Sequence, residues 1–409
     1  MAGGRGGGGG GRGSGGAARW RALAATAAAS AFAGASACRH AVYASSMQQA
    51  SAAILAGRSS HGLVAQSCQP ADMPWEEHGA FFDAEVSDAR NPQFHQDGWG
   101  LGWFQGVEHS GRGEPQRWRS ENGATQGKAC DKDAELIGLS QMVHSKLLFA
   151  HVRAASDGDT HHHNSHPFIF NQILFMHNGG CPDKEGLLEF LDQREVNVLT
   201  QLKGSTDSEY AGALMVKHLG DVCNRHNFTR SELRDAVIRT VLDLDSLSHG
   251  ADAQHSSLNF AVSDGRFVLL TRFRTDRNQD PPSLYFTLGD RWDAATERMV
   301  GAVVPHYLDG DKRLDRAESH DYGKVLGTVL HGNTFLAASE PLSSTHAGWT
   351  PVAKDQMLLF DRLSGTLEAF CLSPSCRSDI EHRCRRSVLA CPINSPLVSS
   401  SEHPFFVVE

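Results

Sequence analysis

Runs of apolar and polar residues along the chain predict alternating strands and helices. Apolar runs at 147–152 and 172–177 have the length of buried strands. Residues 183–196 carry leucines at helical spacing, and this pattern predicts a helix. Two further helices are expected to begin at Thr206 and Thr229, because each Thr is followed three residues later by Glu, as in a capping box. The middle of the chain therefore reads as a mixture of strands and helices.

After residue 255 the pattern changes to strands. Apolar runs at 258–262 and 267–271 flank Asp264-Gly265, a pair typical of hairpin turns. Further strand-like runs follow at 283–287, 335–338, 357–360 and 366–370. Residues 371–409 have no clear period, and we expect them to form a C-terminal extension.

The first 37 residues differ in composition from the rest of the chain. Gly dominates positions 3–16 and Ala dominates positions 17–37, with four arginines and no acidic residue in the whole segment. This leader 1–37 fits a secretory signal that ends at Ala35-Ser36-Ala37, and it equally fits an Arg-rich, acid-poor organellar transit peptide. A disordered tail or a wrongly assigned start codon remains open as a third reading.

Composition and charge exclude several classes of protein. Hydrophobic residues make up 40% and charged residues 21%, which is normal for a globular chain and excludes a mainly disordered one. The net charge of -9 does not fit a nucleic-acid binder that relies on overall basicity. We see no apolar run long enough for a membrane span and expect no membrane partner. The expected compartment is the cytoplasm, or an organelle or the secretory route if the leader is a targeting peptide.

Five short segments carry residue types suited to catalysis or substrate binding. They are Cys38-Arg39-His40, Asp97-Gly98-Trp99-Gly100, His151-Val152-Arg153-Ala154, His177-Asn178-Gly179-Gly180 and Gly204-Ser205-Thr206-Asp207-Ser208-Glu209. Each alone has a structural explanation, such as a hairpin turn for Asn-Gly or a helix cap for Thr206. Their order along the chain is more specific than any one of them.

In this order the segments resemble the class II glutamine amidotransferases, which are N-terminal-nucleophile hydrolases. The resemblance extends over 38–370 and is greatest to stand-alone members of glutathione degradation and ergothioneine biosynthesis, which cleave γ-glutamyl amides. It rests on FAHVRAAS at 149–156, HPF at 166–168, FMHNGG at 175–180, GSTDSE at 204–209, SSLNFAVSDG at 256–265, PPSLYF at 281–286 and ASEPL at 338–342. It implies one catalytic domain with an α+β fold, an αββα sandwich of two mostly antiparallel sheets between helical layers.

The chemistry of a γ-glutamyl amide matches the residue types in these segments. Arg153 can bind the α-carboxylate through two parallel hydrogen bonds, and Asp207 can pair with the α-ammonium. The side chain of Asn178 and the backbone N–H of Gly179 can donate to the oxyanion of a tetrahedral intermediate. The resemblance assigns these residues the same roles.

Three more residues of the same motifs, Gly98, Trp99 and His177, are expected to contribute to substrate binding.

The resemblance also implies that Cys38 is the nucleophile and forms a thioester. Its own α-amino group would act as the base, since an α-amine titrates at about 7.7–8.0. This requires Cys38 to be the first residue of the mature protein, and 37 residues precede it here. The expected function is hydrolysis of a γ-glutamyl amide such as glutamine or a glutathione-like compound. Two alternatives stay open: a glutaminase subunit that supplies ammonia to a separate synthase, or a non-catalytic binding protein if the leader is retained.

Partners and cofactors are less well defined by the sequence. Glutathione-degrading relatives work with a peptidase-like partner, and a synthase partner would fit the ammonia-supplying alternative. We expect no cofactor and no metal. The run His161-His162-His163 is interpreted as a solvated loop, and the cysteines after residue 370 support neither a zinc site nor a disulfide framework.

Overall fold

The computed structural model describes eleven ranges of the chain. They are residues 38–56, 62–63, 97–106, 112–120, 134–153, 161–192, 202–220, 225–248, 254–303, 329–344 and 346–372. The predicted leader, residues 193–196 of the predicted helix and nearly all of the predicted extension lie outside these ranges.

The first sheet contains the strand that follows Cys38. Its seven strands run antiparallel to their neighbours and lie in this order from edge to edge: β16 (Thr350–Pro351), β11 (Tyr285–Gly289), β15 (Thr334–Ala338), β1 (Arg39–Ser45), β6 (Leu147–Arg153), β3 (Gly98–Gln105) and β4 (Glu114–Arg119). All seven residues of β1 are buried, because this strand is central and both faces of the sheet are covered.

The second sheet also has seven antiparallel strands. Their order is β14 (Leu330–His331), β18 (Thr366–Cys371), β17 (Gln356–Asp361), β10 (Phe267–Arg272), β9 (Ser257–Ser263), β8 (Ile173–Gly180) and β7 (Phe168–Phe170). Two small two-stranded sheets complete the described strands: β12 (Arg291–Asp293) with β13 (Arg298–Val300), and β2 (Ala50–Ser51) with β5 (His144–Ser145).

The helices of the described ranges flank these sheets. They are α1 (Ala53–Ala56), α2 (Ala134–Met142), α3 (Lys184–Asp192), α4 (Asp207–Leu219) and α5 (Arg230–Ser246), with a 3-10 turn at His162–Asn164. No helix in this part of the chain has both the length and the apolar character needed to cross a membrane.

Three apolar cores separate the layers. Side chains of α3, α4 and α5 pack on one face of the second sheet, and side chains of α1 and α2 pack on one face of the first sheet. The facing sides of the two sheets meet in the inter-sheet core, which includes Val42, Phe149, Met176, Ala261 and Phe360. The layer order helix, sheet, sheet, helix confirms the predicted αββα sandwich.

Most elements follow the predicted pattern. The strand at Leu147–Arg153 and the hairpin β9–β10 match their apolar runs, and the Asp264 carboxylate accepts hydrogen bonds from two backbone N–H groups of the turn. One strand differs from the predicted bounds: β11 begins at Tyr285, not at residue 283. Cys371 takes part in a disulfide, which the spacing of the late cysteines did not predict.

Helix α5 illustrates how the pattern produces packing. Thr229 and Glu232 form the predicted capping box, since each side chain accepts a hydrogen bond from the other residue's backbone N–H. The four apolar side chains on its predicted inner face are fully buried: Leu233, Val237, Val241 and Leu244. Burial of each such side chain contributes about 1.5–3 kcal/mol relative to exposure.

Candidate active site

Six strand ends meet at one edge of the sandwich, called the site edge below. In the first sheet β1 and β3 begin there and β6 and β15 end there, because neighbouring strands run antiparallel. In the second sheet β8 ends and β9 begins at this edge, and a hydrogen bond joins Asn178 on β8 to Ser339 directly after β15. The fold thus brings together residues from distant parts of the chain.

The space between the sheets becomes polar toward the site edge. Alternation along β1 places Cys38 and His40 on the same face as Val42, which packs in the inter-sheet core. On β6, His151 lies opposite His40, and its Nε2 donates to the backbone oxygen of His177 on the second sheet at 3.1 Å. These polar side chains therefore line the end of the sandwich, where the apolar core stops.

Cys38 directly precedes β1 and is buried, and its thiol is not in a disulfide. In the printed sequence its nitrogen is in a peptide bond with Ala37. An α-amino group at Cys38 therefore requires cleavage of that bond, and cleavage stays a prediction.

Asn178 faces the inter-sheet space and is fully buried. Its Nδ2 donates to the hydroxyl of Ser339 at 3.3 Å, and its Oδ1 has no protein partner among the described residues. The Nδ2 amide carries two N–H groups, and one of them bonds to Ser339. The other N–H can therefore reach the space between the sheets. This is the geometry expected of an oxyanion donor that is held before the substrate arrives.

Gly179 allows the backbone to pass close to a neighbouring strand. Its φ of 150° lies in a region that favours glycine, and a Cβ at this position would overlap the backbone carbonyl of Ser257. A side chain here would displace β8 from β9. The Asn-Gly pair is therefore part of a strand in this fold, not a hairpin turn.

Asp207 is the first residue of α4 and is held against the end of β8. Its Oδ2 accepts from the backbone N–H of Cys181 at 2.5 Å, and its Oδ1 accepts from the backbone N–H of Ser208 at 2.7 Å. A Cβ on Gly180 would lie 3.7 Å from Asp207 Oδ2. The carboxylate thus lies beside the strand that carries Asn178, and the helix N-terminus favours its charged form.

His177 points away from the inter-sheet space toward α4. Its Nε2 donates to the backbone oxygen of Ser257 at 2.7 Å, and its Nδ1 accepts from the Ser208 hydroxyl at 2.9 Å. Both ring nitrogens therefore have protein partners. These contacts assign the ring to fixing the first turn of α4, which differs from the substrate contact expected from the sequence.

Arg153 ends β6 and is buried at the site edge. It pairs with Gly98 across the β3–β6 ladder, where Gly98 has a φ of 155°. A Cβ on Gly98 would overlap the hydroxyl of Ser165. The glycine therefore allows the loop at Ser165 to pack against this end of the sheet beside the arginine.

The side chain of Trp99 lies outside the inter-sheet space. Its side chain is buried on the other face of the first sheet, in the core that α1 and α2 cover. Only its backbone belongs to the site edge, where its N–H donates to the hydroxyl of Ser120 at 3.1 Å. The side chain points away from the inter-sheet space because adjacent residues of a strand point to opposite faces, and the expected contribution of Trp99 to substrate binding stays a prediction.

Four buried histidines surround the site edge without adding charge. Burial lowers the pKa of His40 to about 3, with smaller contributions from a neighbouring histidine and arginine. Burial also lowers the pKa of His151 and of His166 well below the usual value. The pKa of His177 is lowered by burial as well. These imidazoles are therefore neutral at pH 7, and at the site edge Arg153 supplies a positive charge and Asp207 a negative one.

The rings of the run His161–His163 lie close together and are tilted to one another. Their centroids are 3.8 to 4.8 Å apart, and one ligand nitrogen from each ring lies within 4.8 Å of the others. The Nδ1 of His161 already accepts from the backbone N–H of His163. Adjacent histidines thus lie closer together than the sequence argument allowed, and the expectation of no metal here stays a prediction.

Comparison with known proteins shows a similarity to one family. The model of the class-II glutamine amidotransferases matches residues 81–279, which contain the Arg153, Asn178 and Asp207 segments. This range covers slightly less than half of the chain. The chain is therefore similar to enzymes of this type, and Cys38 lies before the range that the amidotransferase model matches.

Two kinds of relative resemble this chain. The chain is 27% identical over 291 residues to a Saccharomyces cerevisiae protein named "Probable glutamine amidotransferase DUG3", with 68% of this chain and 72% of that protein covered. A class-II domain protein from Silicibacter pomeroyi is 18% identical in structure-based alignment, with a TM-score of 0.43, 82% of this chain and 100% of that chain covered. The phosphoribosylpyrophosphate amidotransferase of B. subtilis is 12% identical, with a TM-score of 0.40, 82% of this chain covered and only 49% of that chain.

The sequence analysis did not predict a role for two residues of the candidate site. Ser208 orients His177, and Ser339 contacts Asn178 from the opposite sheet. Both serines lie inside quoted motifs, GSTDSE and ASEPL, yet the motifs gave them no role. Their contacts depend on which sheet faces which, and that information is absent from a local pattern.

Proposed function

We propose that this amidotransferase hydrolyses γ-glutamyl amides through a thioester on Cys38, after removal of residues 1–37. The substrate class includes glutamine, glutathione-like compounds and other γ-glutamyl amides. The main support is the set of groups at the site edge. An arginine, an aspartate and an amide donor lie at strand and helix ends that meet near the start of β1, which Cys38 directly precedes.

The charges at the site edge match the glutamyl end of such a substrate. Arg153 offers two parallel N–H groups for the α-carboxylate, and Asp207 offers a carboxylate for the α-ammonium. The neutral histidines around them neither attract nor repel either charged group. Binding of both charges directs the γ-carbonyl toward Cys38.

The proposed reaction needs only water as a second reactant. The α-amino group of Cys38 takes the thiol proton, and Sγ attacks the γ-carbonyl carbon. Asn178 and the backbone N–H of Gly179 stabilise the oxyanion. The protonated amine then gives its proton to the leaving amine, and the C–N bond breaks to leave a thioester. Water attacks the thioester with the amine as base, which releases glutamate and restores the thiol.

A panel of three amides tests the assignment of the glutamyl end. It compares kcat/KM for γ-glutamyl, glutaryl and α-decarboxylated versions of one chromogenic amide. Sites built for polar groups discriminate against analogues that lack them by as much as about 10⁴–10⁵. We expect the γ-glutamyl amide to be cleaved much faster than either analogue. Equal values for the three would reject the roles of Arg153 and Asp207 and the γ-glutamyl substrate class.

We also propose that the protein acts with a protein partner of the peptidase or synthase type. The support is the resemblance to stand-alone amidotransferases of glutathione breakdown. Co-purification of the full-length protein from its own cell, followed by mass spectrometry, tests this. Recovery of the protein only as a monomer that is fully active on γ-glutamyl amides would contradict it.

A further inference from the structure

Ser339 links the strand that follows Cys38 to the opposite sheet. It directly follows β15 and is fully buried. Its backbone N–H donates to the backbone oxygen of His40 at 2.9 Å, which continues the β1–β15 ladder to the site edge. The position of Ser339 is therefore fixed by the first sheet.

The hydroxyl of Ser339 crosses the space between the sheets. It accepts from the backbone N–H of His40 at 3.1 Å and from Asn178 Nδ2 at 3.3 Å, and it can donate to the backbone oxygen of His40 at 3.4 Å. The first and third contacts hold the oxygen on β1, two residues from Cys38. The second contact fixes the side chain of Asn178, which belongs to the other sheet.

An asparagine amide needs such a contact to serve as an oxyanion donor. The last torsion of the Asn side chain is broad, so an amide without a partner can turn its oxygen toward the substrate. An oxygen in that position would repel the oxyanion, whereas a preorganised N–H stabilises it. Because the two atoms lie on different sheets, their contact also sets the distance between Asn178 and the strand of Cys38.

We propose that Ser339 is a positioning residue that orients the Asn178 amide toward the oxyanion. The inference rests on the proposed function, in which Asn178 stabilises the tetrahedral intermediate. It predicts that the contribution of Ser339 to kcat exists only while Asn178 is present.

Ser45 provides a matched control on the same pair of strands. It is also fully buried, lies opposite Thr334 at the other end of the β1–β15 ladder, and its hydroxyl contacts Thr334 Oγ1 at 3.0 Å. Loss of this hydroxyl removes a comparable contact between β1 and β15, far along the strands from Asn178.

The test is a double-mutant cycle on the mature protein with a γ-glutamyl amide. Ser339→Ala should lower kcat by about threefold to tenfold with KM nearly unchanged, the size expected for one hydrogen bond. In the Asn178→Ala background, the same change should alter kcat by less than about twofold. Ser45→Ala should change kcat by less than about twofold in either background. If Ser339→Ala does not fold, Ser339→Cys keeps the volume with a much weaker acceptor and takes its place.

The outcomes separate the two proposals. Equal losses from Ser339→Ala with and without Asn178, or a fully active Ser339→Ala beside a strongly impaired Asn178→Ala, would overturn the positioning role alone. A nearly unchanged Asn178→Ala would overturn the oxyanion assignment in the proposed function itself.

Discussion

Neighbouring residues of one strand serve different layers of this protein. On β8, Asn178 faces the inter-sheet space, while His177 faces α4 and holds the helix that carries Asp207. On β3, Gly98 pairs with Arg153, while the Trp99 side chain packs in a core on the far face. Within one motif of four residues, some side chains therefore lie at the site edge and others pack against the neighbouring core or helix.

The first prediction concerns Asn178. Asn178→Ala should lower kcat by about 10²–10³ with little change in KM, because its donor binds an oxyanion that forms only near the transition state. Steady-state kinetics with a γ-glutamyl amide measures this. A variant within about threefold of the wild type would assign Asn178 to strand structure alone.

The histidine run leads to a second prediction at this scale. We expect no stoichiometric metal at His161–His163, because the Nδ1 of His161 already accepts a hydrogen bond from the backbone N–H of His163. Equilibrium dialysis with Zn²⁺ compares the wild type with His161→Ala and with His226→Ala, a change of an exposed histidine elsewhere. Loss of one zinc equivalent in His161→Ala only would contradict the expectation.

At the scale of elements, the two similar helix starts have different surroundings. Thr229 makes both hydrogen bonds of a capping box. At Thr206 the side chain accepts from the backbone N–H of Glu209, but the predicted return bond from Glu209 is wrong. The Glu209 carboxylate instead accepts from the backbone N–H groups of Lys203 and Gly204. The physical reason is a tertiary contact: Asn164 Oδ1 accepts from the backbone N–H of Ser205 and helps to hold the loop that precedes α4.

These two caps form a matched pair of substitutions. Thr206→Ala and Thr229→Ala should each lower the free energy of unfolding by about 0.5–2 kcal/mol. Thr206→Ala should also raise KM severalfold, because Asp207 is the first residue of α4, whereas Thr229→Ala should leave KM within about twofold. Urea unfolding and steady-state kinetics measure the two effects. Equal KM values in the two variants would show that the position of Asp207 does not affect substrate binding.

The sequence predicts elements of this fold better than it predicts their contacts. Periodicity identified β6, the β9–β10 hairpin and the inner face of α5, because local alternation and turn chemistry determine them. It did not reveal that the motifs at Asn178 and Ser339 face each other. That contact is set by the stacking of the two sheets, and it joins residues that are 161 positions apart in the chain.

For the whole molecule, closure of the sandwich buries titratable groups at its polar end. His40, His151 and His166 are deeply buried and neutral. The unfolded chain binds protons at such histidines near pH 6.5, but folded His40 binds one only near pH 3. The contribution of neutral His40 to the free energy of unfolding is therefore fully present above about pH 6.5, and it is lost as the pH falls toward 3. Glu340, whose pKa is raised by burial, acts in the opposite direction.

His40→Gln isolates one of these contributions. From pH 7.5 to pH 5.0, the wild type should lose about 2 kcal/mol more of its free energy of unfolding than the variant, at about 1.4 kcal/mol per pH unit below pH 6.5. Glu340 titrates in both proteins, so its effect cancels in the difference. His226→Gln, at an exposed position, should keep the wild-type pH dependence. Urea titrations at the two pH values measure the loss, and identical losses in wild type and His40→Gln would show that His40 is protonated in the folded protein.

The nucleophile and the processing of the leader can be tested together. The protein purified from its own cell is treated with a γ-glutamyl analogue that carries an electrophilic ketone, and the modified peptide is sequenced by mass spectrometry. The account predicts complete loss of activity with one adduct, on Sγ of Cys38, in a peptide whose first residue is Cys38. An adduct on another residue, or an active protein in which residues 1–37 still precede Cys38, would contradict it.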